Sequence, residues 1–338
     1  MNLKDIAQIA NVSSATVSMV LNNKPGVGQD KRKEIKKLLK EHYRPQGSQA
    51  KNISIRSLYR FVFVKHVKNG FLVEENSGFI STILDSIEIE CRKHGCSLQI
   101  LVSQNNLDQT LKSINLNEVD GAFILGSEFD ASDHELLKNL EFPYVVIDNR
   151  MPYHNCNSIT MDNDGMFRDA LMYLHKLGFA EIAYFKSKMT TQNFKDRADA
   201  FFRYCPEFNL HYDDSKIFPL EPTIDGAYKD LKRFLSAGIK LPACAIADND
   251  SIAIGAIKAL KEFKYSIPKD IALIGFDDIH FSKVHTPSLS TLKVEKKVIG
   301  ELAVRSLLYS IRNPNFRNIK QLVGGSLILR DSTPNSSV

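Results

Sequence analysis

The sequence predicts a small all-α helix-turn-helix head followed by an α/β body of two doubly wound parallel-sheet lobes. Two observations support this fold class. Apolar residues recur at helical spacing near the N-terminus, and from about residue 58 continuous apolar strands alternate with amphipathic helices. Strands that are apolar throughout form parallel sheets covered by helices on both faces. With 338 residues, the chain is long enough for two or three such units.

The head begins with two short helices around a tight turn. The first helix ends at Asn11, and Ser13 is suited to cap the second. Apolar residues at helical spacing mark the sides on which the two helices meet: Ile6, Ala7, Ala10, Val17, Val20 and Leu21. Because small alanines let two short helices cross closely, this pattern predicts a helix-turn-helix. A third helix follows at about 30–41 and buries Ile35, Leu38 and Leu39.

Positive charge is concentrated in the head. Residues 1–60 contain 12 lysines and arginines against four acidic residues, a net charge of +8. The whole chain carries +5, so the remaining 278 residues carry −3. A basic head on a mildly acidic body predicts a polyanionic partner for the head alone. The lysine-rich face of the third helix is equally compatible with a merely solvated surface.

The body divides into two series of elements. In the first series we expect strands at 58–64, 97–102, 121–125 and 144–147 and helices at 79–93, 107–116 and 132–140. In the second series we expect strands at 182–185, 216–218, 244–247 and 271–276 and helices at 164–176, 193–204, 224–236 and 251–263. The predicted domains are a head at 1–45, a hinge at 46–57 and a body at 58–338. Its first lobe comprises about 58–162 and 290–322, and its second lobe about 163–289 and 323–332.

Polar residues follow the carboxyl ends of four predicted strands, where open parallel sheets bind ligands. They are Lys65, His66, Asp148, Asn149, Arg150, Asp248, Asn249, Asp250, Asp277 and Asp278. Carboxylates and amides in fixed pairs suit the vicinal hydroxyls of a sugar. Asp250 and Asp164 could instead cap the helices that follow them. Asn249 and Asp277 do not directly begin a predicted helix, which favours ligand contact.

Composition gives no support to membrane, secreted or metal-binding proteins. No apolar run approaches the roughly 18 residues of a membrane span, and residues 1–6 lack the apolar stretch of a signal peptide, so we expect a cytoplasmic protein. The five cysteines are odd in number, contain no CxxC pair and are typical of reduced thiols: Cys91, Cys96, Cys156, Cys205 and Cys244. A metal site at Cys91, His94 and Cys96 would lack the usual paired spacing, so packing is favoured and no metal or cofactor is expected.

An enzyme is the main alternative from a different class. The sequence contains no GxGxxG, P-loop, GxSxG or HExxH motif. Acidic residues facing a crevice can pair for glycoside hydrolysis, but no spacing here selects that chemistry. We therefore predict a protein that is not an enzyme. A sugar-binding protein without a DNA role is the other alternative, and it should have a signal peptide and no basic head.

Five short segments of the head form a specific pattern. They are Leu3-Lys4-Asp5-Ile6-Ala7, Asn11-Val12-Ser13, Ala15-Thr16-Val17-Ser18, Val20-Leu21-Asn22-Asn23 and Tyr43-Arg44-Pro45. This string resembles the DNA-binding head of the LacI/GalR family of transcriptional regulators. The resemblance implies that the second helix enters the major groove of an operator. The expected DNA-contacting residues are Ser14, Ala15, Thr16, Ser18, Met19, Asn22, Lys4 and Arg44.

Two positions depart from the family pattern. Met19 occupies the place of an arginine or histidine, and it can make only apolar contacts to a base edge. The family's hinge inserts a leucine into the minor groove, and that position falls here on Asn52, or on Ile53 if one residue is inserted. Gly47 and Ser48 are poor helix formers, so we expect weaker hinge anchoring than the family pattern implies.

The body contains three further family-like segments. They are Asn193-Phe194-Lys195-Asp196-Arg197, the segment from Asp248 to Leu260, and the segment from Ile267 to Asp278. The resemblance implies a periplasmic-binding-protein-like body with a sugar or sugar-phosphate effector between its lobes, contacted by Asp148, Arg197, Asn249 and Asp277. It also implies a repressor acting as a homodimer, or a tetramer, on an inverted-repeat operator. The stretch 65–78 is longer than is usual in the family.

Overall fold

The computed structural model describes residues 2–21, 26–42, 59–73, 77–315 and 318–334. The predicted hinge at 46–57, with its residues Asn52 and Ile53, lies outside the described residues. So do Asn22 and Arg44, two of the residues predicted to contact DNA. No helix in these ranges is both long and apolar enough to cross a membrane.

The head consists of three helices, α1 (Leu3–Ile9), α2 (Ser14–Leu21) and α3 (Gln29–His42). Asn2 caps α1, and its side chain and that of Asp5 each accept a hydrogen bond from the other's main-chain N–H. The Ser13 hydroxyl accepts from the Thr16 N–H at 3.0 Å, as predicted. The three helices share one small core: Ile6, Ala7, Ala10, Val17, Val20, Ile35 and Leu39. The predicted helix-turn-helix is therefore confirmed.

The first lobe contains most of one six-stranded sheet. Its elements in chain order are β1 (Arg60–Val67), α4 (Ser77–Lys93), β2 (Ser97–Gln104), α5 (Leu107–Lys112), β3 (Gly121–Leu125), α6 (Ala131–Leu137), β4 (Tyr144–Ile147) and β5 (Asn157–Met161). β1 pairs in parallel with both β2 and β3. Both faces of the sheet are covered, which is why β3 is buried at every position.

The second lobe contains most of the other six-stranded sheet. Its elements are α7 (Asn163–Lys176), β6 (Ala183–Ser187), α8 (Gln192–Glu207), β7 (Ile217–Leu220), α9 (Ile224–Ser236), β8 (Cys244–Ala247), α10 (Asp250–Glu262), β9 (Ala272–Asp277), α11 (His280–Val284) and β10 (Ser290–Lys293). Helices α9 and α10 pack closely because Gly255 has no side chain: a Cβ there would lie 2.3 Å from the Ile224 carbonyl oxygen. This packing fixes α10 behind β8.

The chain then returns to each lobe once more, through α12 (Lys296–Arg312), β11 (Lys320–Val323) and β12 (Ser326–Ile328). The strand orders are β11-β5-β4-β3-β1-β2 and β12-β10-β9-β8-β6-β7. All described pairs are parallel except β10 with β12. The predicted body of two doubly wound parallel-sheet lobes is confirmed.

The lobe boundaries need one correction. The sequence placed 290–322 in the first lobe, but β10 pairs with β9, with Thr291 opposite Gly275, and belongs to the second sheet. The chain crosses only after Lys293, and α12 then packs on α4, where the Ser86 hydroxyl donates to the Lys297 carbonyl at 2.6 Å. The last crossing follows Val323, which still pairs with Met161 in the first sheet.

Candidate functional site

A cavity lies between the two lobes, where the carboxyl ends of strands from both sheets face each other. It is a narrow cavity of about 350 Å³. The four residues predicted to contact an effector, Asp148, Arg197, Asn249 and Asp277, all line it. The rest of its lining is polar at Ser127, Thr191 and Asn193, and apolar at Leu72, Phe79, Ile80, Met161 and Phe194.

Asp148 directly follows β4 and is held by groups from both lobes. Its backbone is left-handed, with φ of 63°, and its side chain is buried. The Ser127 hydroxyl donates to one carboxylate oxygen. The Asn193 amide nitrogen, from α8 in the second lobe, donates to the other oxygen and to the Asp148 carbonyl, both at 3.0 Å. Asp148 therefore connects the two lobes.

Arg197 lies in the sixth position of α8. Its Nε donates to the Asn163 Oδ1 at 2.8 Å, and its Nη1 donates to the main-chain oxygen of Asp248. Its Nη2 lies 3.8 Å from the Asp277 Oδ1. The guanidinium also stacks 3.6 Å above the Phe276 ring. These contacts fix the guanidinium within the protein.

Two asparagines that sequence reasoning did not assign to the site complete a hydrogen-bonded chain across the cavity. The Asn163 amide donates to the Asn193 Oδ1 at 3.0 Å, and the Asn163 Oδ1 accepts from Arg197. The hydrogen bonds thus run from Asp148 through both asparagines to Arg197, which forms an ion pair with Asp277 at 3.8 Å. Asn193 lies in a segment that had been noted, whereas nothing local distinguishes Asn163 from an ordinary residue at the start of α7.

The capping residue of α10 differs from the one that the sequence suggested. Asn249, not Asp250, caps α10, because its Oδ1 accepts from the Ile252 N–H at 2.8 Å. Asp250 is fully buried and accepts hydrogen bonds from three groups in the β9–β10 region: the Ser282 and Thr291 hydroxyls, both at 2.6 Å, and the Ile279 N–H at 3.0 Å. Similarly, Asp162 rather than Asp164 caps α7. Asn249 combines a capping role with a place in the cavity wall.

Asp277 ends β9 with an unusual backbone. Its φ of 113° lies in the left-handed half of the Ramachandran map, where residues other than glycine are uncommon. The surrounding fold therefore holds the Asp277 backbone in a conformation that aspartate rarely adopts. The partly buried Lys296 ammonium donates to the main-chain oxygens of Asp277 and Asp278. Lys296 begins α12, so the turn is fixed by the segment that crosses between the lobes.

The cavity region carries more buried acids than bases. Burial raises the pKa of Asp148 to about 6, against the opposing effects of the Ser127 hydrogen bond and the Arg197 charge. Burial likewise raises the pKa of Asp248 to about 6, although Tyr184 and the Ser187 N–H bind its carboxylate. Burial and the nearby Asp277 raise the pKa of Asp250 to about 7. Such a region suits a ligand that donates hydrogen bonds and carries no negative charge.

The other predicted strand-end residues lie elsewhere. β1 extends to Val67, so Lys65 and His66 lie inside the strand, and the buried His66 ring contacts the Ser103 hydroxyl at 3.0 Å. The Asn149 amide donates to the Gly126 carbonyl at 3.1 Å, and Arg150 pairs with Asp196 at 2.9 Å. None of these lines the inter-lobe cavity.

The head presents the second predicted surface. On α2, Ser14 and Ala15 are exposed and Thr16, Ser18 and Met19 are half-buried, while Val17 and Val20 face the core. Lys4 is exposed on α1. A Cβ on Gly26 would lie 3.0 Å from the Met19 methyl carbon, so this side chain lies against the connection to α3. The outer side of α2 therefore carries short, exposed side chains at Ser14 and Ala15 that do not pack in the core.

Within the described residues, no group of three or more His, Cys, Asp or Glu side chains is arranged to hold a metal ion. All five cysteines are buried and unpaired with each other. Burial raises the pKa of Cys156 to about 11 and that of Cys205 to about 12, which makes these thiols poor nucleophiles.

Comparison with known protein families matches two parts of the chain. Residues 2–46 match the bacterial regulatory proteins of the lacI family. Residues 171–333 match the periplasmic binding protein-like domain. The first match covers the helix-turn-helix, and the second covers the lobe that supplies Arg197, Asn249 and Asp277.

Individual relatives are similar over nearly their whole length. The HTH-type transcriptional repressor PurR of Mannheimia succiniciproducens is 27% identical over 98% of this chain and 98% of its own. The ribose operon repressor of Escherichia coli is 24% identical over 93% of this chain and 94% of its own length. Among solved structures, the lac repressor dimer bound to operator and the anti-inducer ONPF has a TM-score of 0.74 at 21% identity, and a CelR–cellobiose complex has 0.72 at 20%. Both cover 98% of this chain and 99% of their own.

The raised pKa of Asp148 predicts a pH dependence of stability. Because the usual pKa of an unfolded aspartate is near 4, the folded chain binds more protons between about pH 4 and pH 6. The contribution of Asp148 to stability is therefore greatest at low pH and decreases as the pH rises through that window. In Asp148→Asn this group no longer titrates. The difference in the free energy of unfolding, wild type minus variant, should fall by roughly 2–3 kcal/mol from pH 4 to pH 7 and stay constant above.

Urea unfolding of both proteins across this pH range measures the difference. Asp169→Asn, which removes an exposed carboxylate from α7, is the control and should show little pH dependence. A pH-independent difference for Asp148→Asn would show that Asp148 is already ionised at pH 4.

Proposed function

We propose that this chain, a DNA-binding transcriptional regulator of the lacI family of bacterial regulatory proteins, is a repressor that acts in the cytoplasm and whose affinity for its operator changes when a small neutral sugar binds between the lobes. The observation that carries this proposal is the chain of hydrogen bonds from Asp148 to Arg197, together with the ion pair of Arg197 with Asp277. These contacts place fixed polar groups of both lobes around one cavity.

The lining of the cavity supports a sugar as the ligand. Carboxylate and amide groups at Asp148, Asn249 and Asp277 can accept and donate hydrogen bonds to hydroxyl groups, while Phe79 and Phe194 offer apolar surfaces to the ring of a sugar. The excess of buried carboxylates disfavours a phosphate group, so a neutral sugar is favoured over a sugar phosphate. The names of the relatives agree in part, since they include a ribose operon repressor.

The shape of the cavity supports a link between binding and lobe position. The cavity is narrow and lined by both lobes, so a sugar-sized molecule can enter only if the lobes move apart or rotate. Asn193 reaches across to Asp148, so a ligand that binds Asp148 competes with a contact between the lobes. A ligand shifts a conformational equilibrium only by its differential affinity for the two states. This cavity offers such a difference because its polar groups come from both lobes.

The exposed side of α2 supports DNA contact by the head. Ser14 and Ala15 are short side chains that let a helix lie close to base edges, and Lys4 is an exposed cation on the neighbouring helix. One head of this size spans only a few base pairs. Sequence specificity then requires two heads related by a two-fold axis, bound to an inverted repeat.

An apolar face of the first lobe supports a homodimer. Ile100 of the edge strand β2 lies opposite Phe63 in register, so both point to the side of the sheet on which α4 packs, but Ile100 remains exposed there. Ile100 and Val102 of β2 are 50% and 57% exposed, and Ile89 of α4 is 46% exposed. Exposed apolar edge strands pair readily with other chains, so we assign this face, formed by Ile89, Ile100 and Val102, to a second copy of the chain.

A negative charge placed on α2 should weaken DNA binding without unfolding the head. Ala15→Glu adds an acid in the first turn of a helix, where the helix dipole favours it, at an exposed position. Repulsion by phosphates should weaken binding to a mixed-sequence duplex at low salt by about tenfold or more. Gln8→Glu, the same added charge on the exposed side of α1, is the control and should cost less than about threefold. Equal binding by Ala15→Glu and wild type, measured by fluorescence anisotropy, would place the DNA contact elsewhere.

Disrupting the apolar face should produce monomers. Val102→Lys places a charge in the middle of the face, and charged residues on edge strands oppose pairing between chains. Sedimentation equilibrium should then report a monomer, whereas the wild type and the control Leu116→Lys, an equally exposed apolar site outside the face, should report a dimer or a tetramer. A monomeric wild type at micromolar concentration would contradict the proposed assembly.

Removing one acid from the cavity should separate sugar response from DNA binding. Asp277→Ala deletes a buried carboxylate and should cost about 1.5–3 kcal/mol of sugar binding, or one to two decades in affinity. The sugar is the one that most raises the melting temperature of the wild type in a panel of pentoses, hexoses and their phosphates. DNA binding without sugar should be retained, and the exposed-site control Asp169→Ala should behave as wild type. Unchanged sugar affinity in a folded Asp277→Ala protein would refute the site assignment.

A further inference from the structure

The loop between β1 and α4 is organised by one buried carboxylate. Glu128 follows β3 and is 3% exposed. Its two oxygens accept five main-chain hydrogen bonds of 2.7–3.2 Å from this loop. The donors are the N–H groups of Lys68, Asn69, Gly70, Leu72 and Val73. We refer to residues 68–73 as the dividing loop because they lie between two spaces.

Further charges hold the same loop. The Lys68 ammonium pairs with Asp133 at 2.9 Å and with Asp130, which caps α6. Burial opposes ionisation of Glu128, but the main-chain hydrogen bonds outweigh it and lower the pKa of Glu128 below its usual value. Hydrogen bonds to a charged acceptor are stronger than hydrogen bonds between neutral groups. The conformation of the dividing loop therefore depends on the ionised Glu128.

The dividing loop separates two spaces between the lobes. Leu72 lines the inter-lobe cavity, beside Phe79 and Ile80. The preceding residue, Phe71, lines a second and larger space of about 1220 Å³, whose other lining comes from the second lobe and includes Lys188 and Thr223. Because consecutive side chains point into different spaces, the main chain of the loop is the boundary between them.

We propose that the dividing loop sets the size of the effector: Leu72 restricts the inter-lobe cavity to a single sugar ring, and Glu128 is the positioning residue that holds Leu72 there. The inference rests on the proposed function. The inter-lobe cavity is the smaller of the two spaces, about 350 Å³ against about 1220 Å³. The larger space has room for a second sugar ring, and the dividing loop lies between the two spaces, with Leu72 lining one and Phe71 lining the other.

The first arm of the test needs no ligand. Glu128→Gln keeps the size of the side chain, but its NH₂ group would face main-chain donors, so it cannot accept all five hydrogen bonds. Hydrogen exchange by mass spectrometry should show exchange at 68–73 at least about tenfold faster in this variant. Glu135→Gln, a glutamate on the neighbouring α6 that pairs only with the exposed Lys138, is the control and should match wild type. Unchanged exchange at 68–73 in Glu128→Gln would overturn the positioning role.

The second arm measures size selection with D-ribose, D-glucose and cellobiose by calorimetry. Wild type should bind at least one monosaccharide and should not bind cellobiose detectably. Leu72→Ala and Glu128→Gln should each reduce the preference for the monosaccharide over cellobiose by about tenfold or more, and Glu135→Gln should not. Tight binding of cellobiose by wild type, or an unchanged preference in both variants, would overturn the proposal. If wild type binds none of the three sugars, the proposed sugar effector fails, whereas the positioning role is still decided by the exchange of 68–73.

Discussion

The cleft depends on keeping one guanidinium charged inside the protein. Arg197 is 3% exposed, and removing such a charge from water is expensive unless partners replace the solvent. The partners come from three separate segments: Asn163 at the start of α7, the Asp248 carbonyl after β8, and Phe276 and Asp277 at the end of β9. Moving any of these segments would leave the guanidinium without part of its solvation. The ends of α7, β8 and β9 are therefore fixed relative to one another by the requirements of one side chain.

The topology explains why such a set of partners can form at all. In each parallel sheet the carboxyl ends of the strands lie on one edge, so polar residues far apart in sequence arrive at the same place. The chain crosses between the lobes three times, after β5, after β10 and after β11. Two of the crossings supply site groups directly, since Asn163 follows the first and Lys296 follows the second. The crossing segments thus position the acids and the arginine as well as joining the lobes.

Sequence patterns predicted the residues whose position follows from local structure. Asp148 and Asp277 end apolar strands, and Asn249 lies between a strand and a helix, so their meeting at one sheet edge could be inferred. Asn163 and Glu128 could not, because their partners are 34 residues away at Arg197 and 55–60 residues away at 68–73. The strand β5 was not predicted because it contains Asn157, Ser158 and Thr160. These polar residues are buried because Asn157 accepts from the Ile319 N–H and Ser158 donates to the Arg150 carbonyl. Burial of a polar residue depends on such distant partners, which local periodicity does not contain.

The polar and apolar sides of the cavity have different consequences for a regulator. Leu72, Phe79 and Ile80 all belong to the first lobe, so a ligand keeps its contacts with them whatever the position of the second lobe. Contacts that are equal in two states add affinity but cannot shift the equilibrium between the states. Asn193, Arg197, Asn249 and Asp277 belong to the second lobe and face Ser127 and Asp148 of the first, so a ligand held by both sets is sensitive to lobe position. On the proposed function, the apolar residues of the first lobe therefore contribute to affinity alone, and the polar residues that face each other across the lobes transmit binding. The two properties can change independently through substitutions at different residues of one cavity.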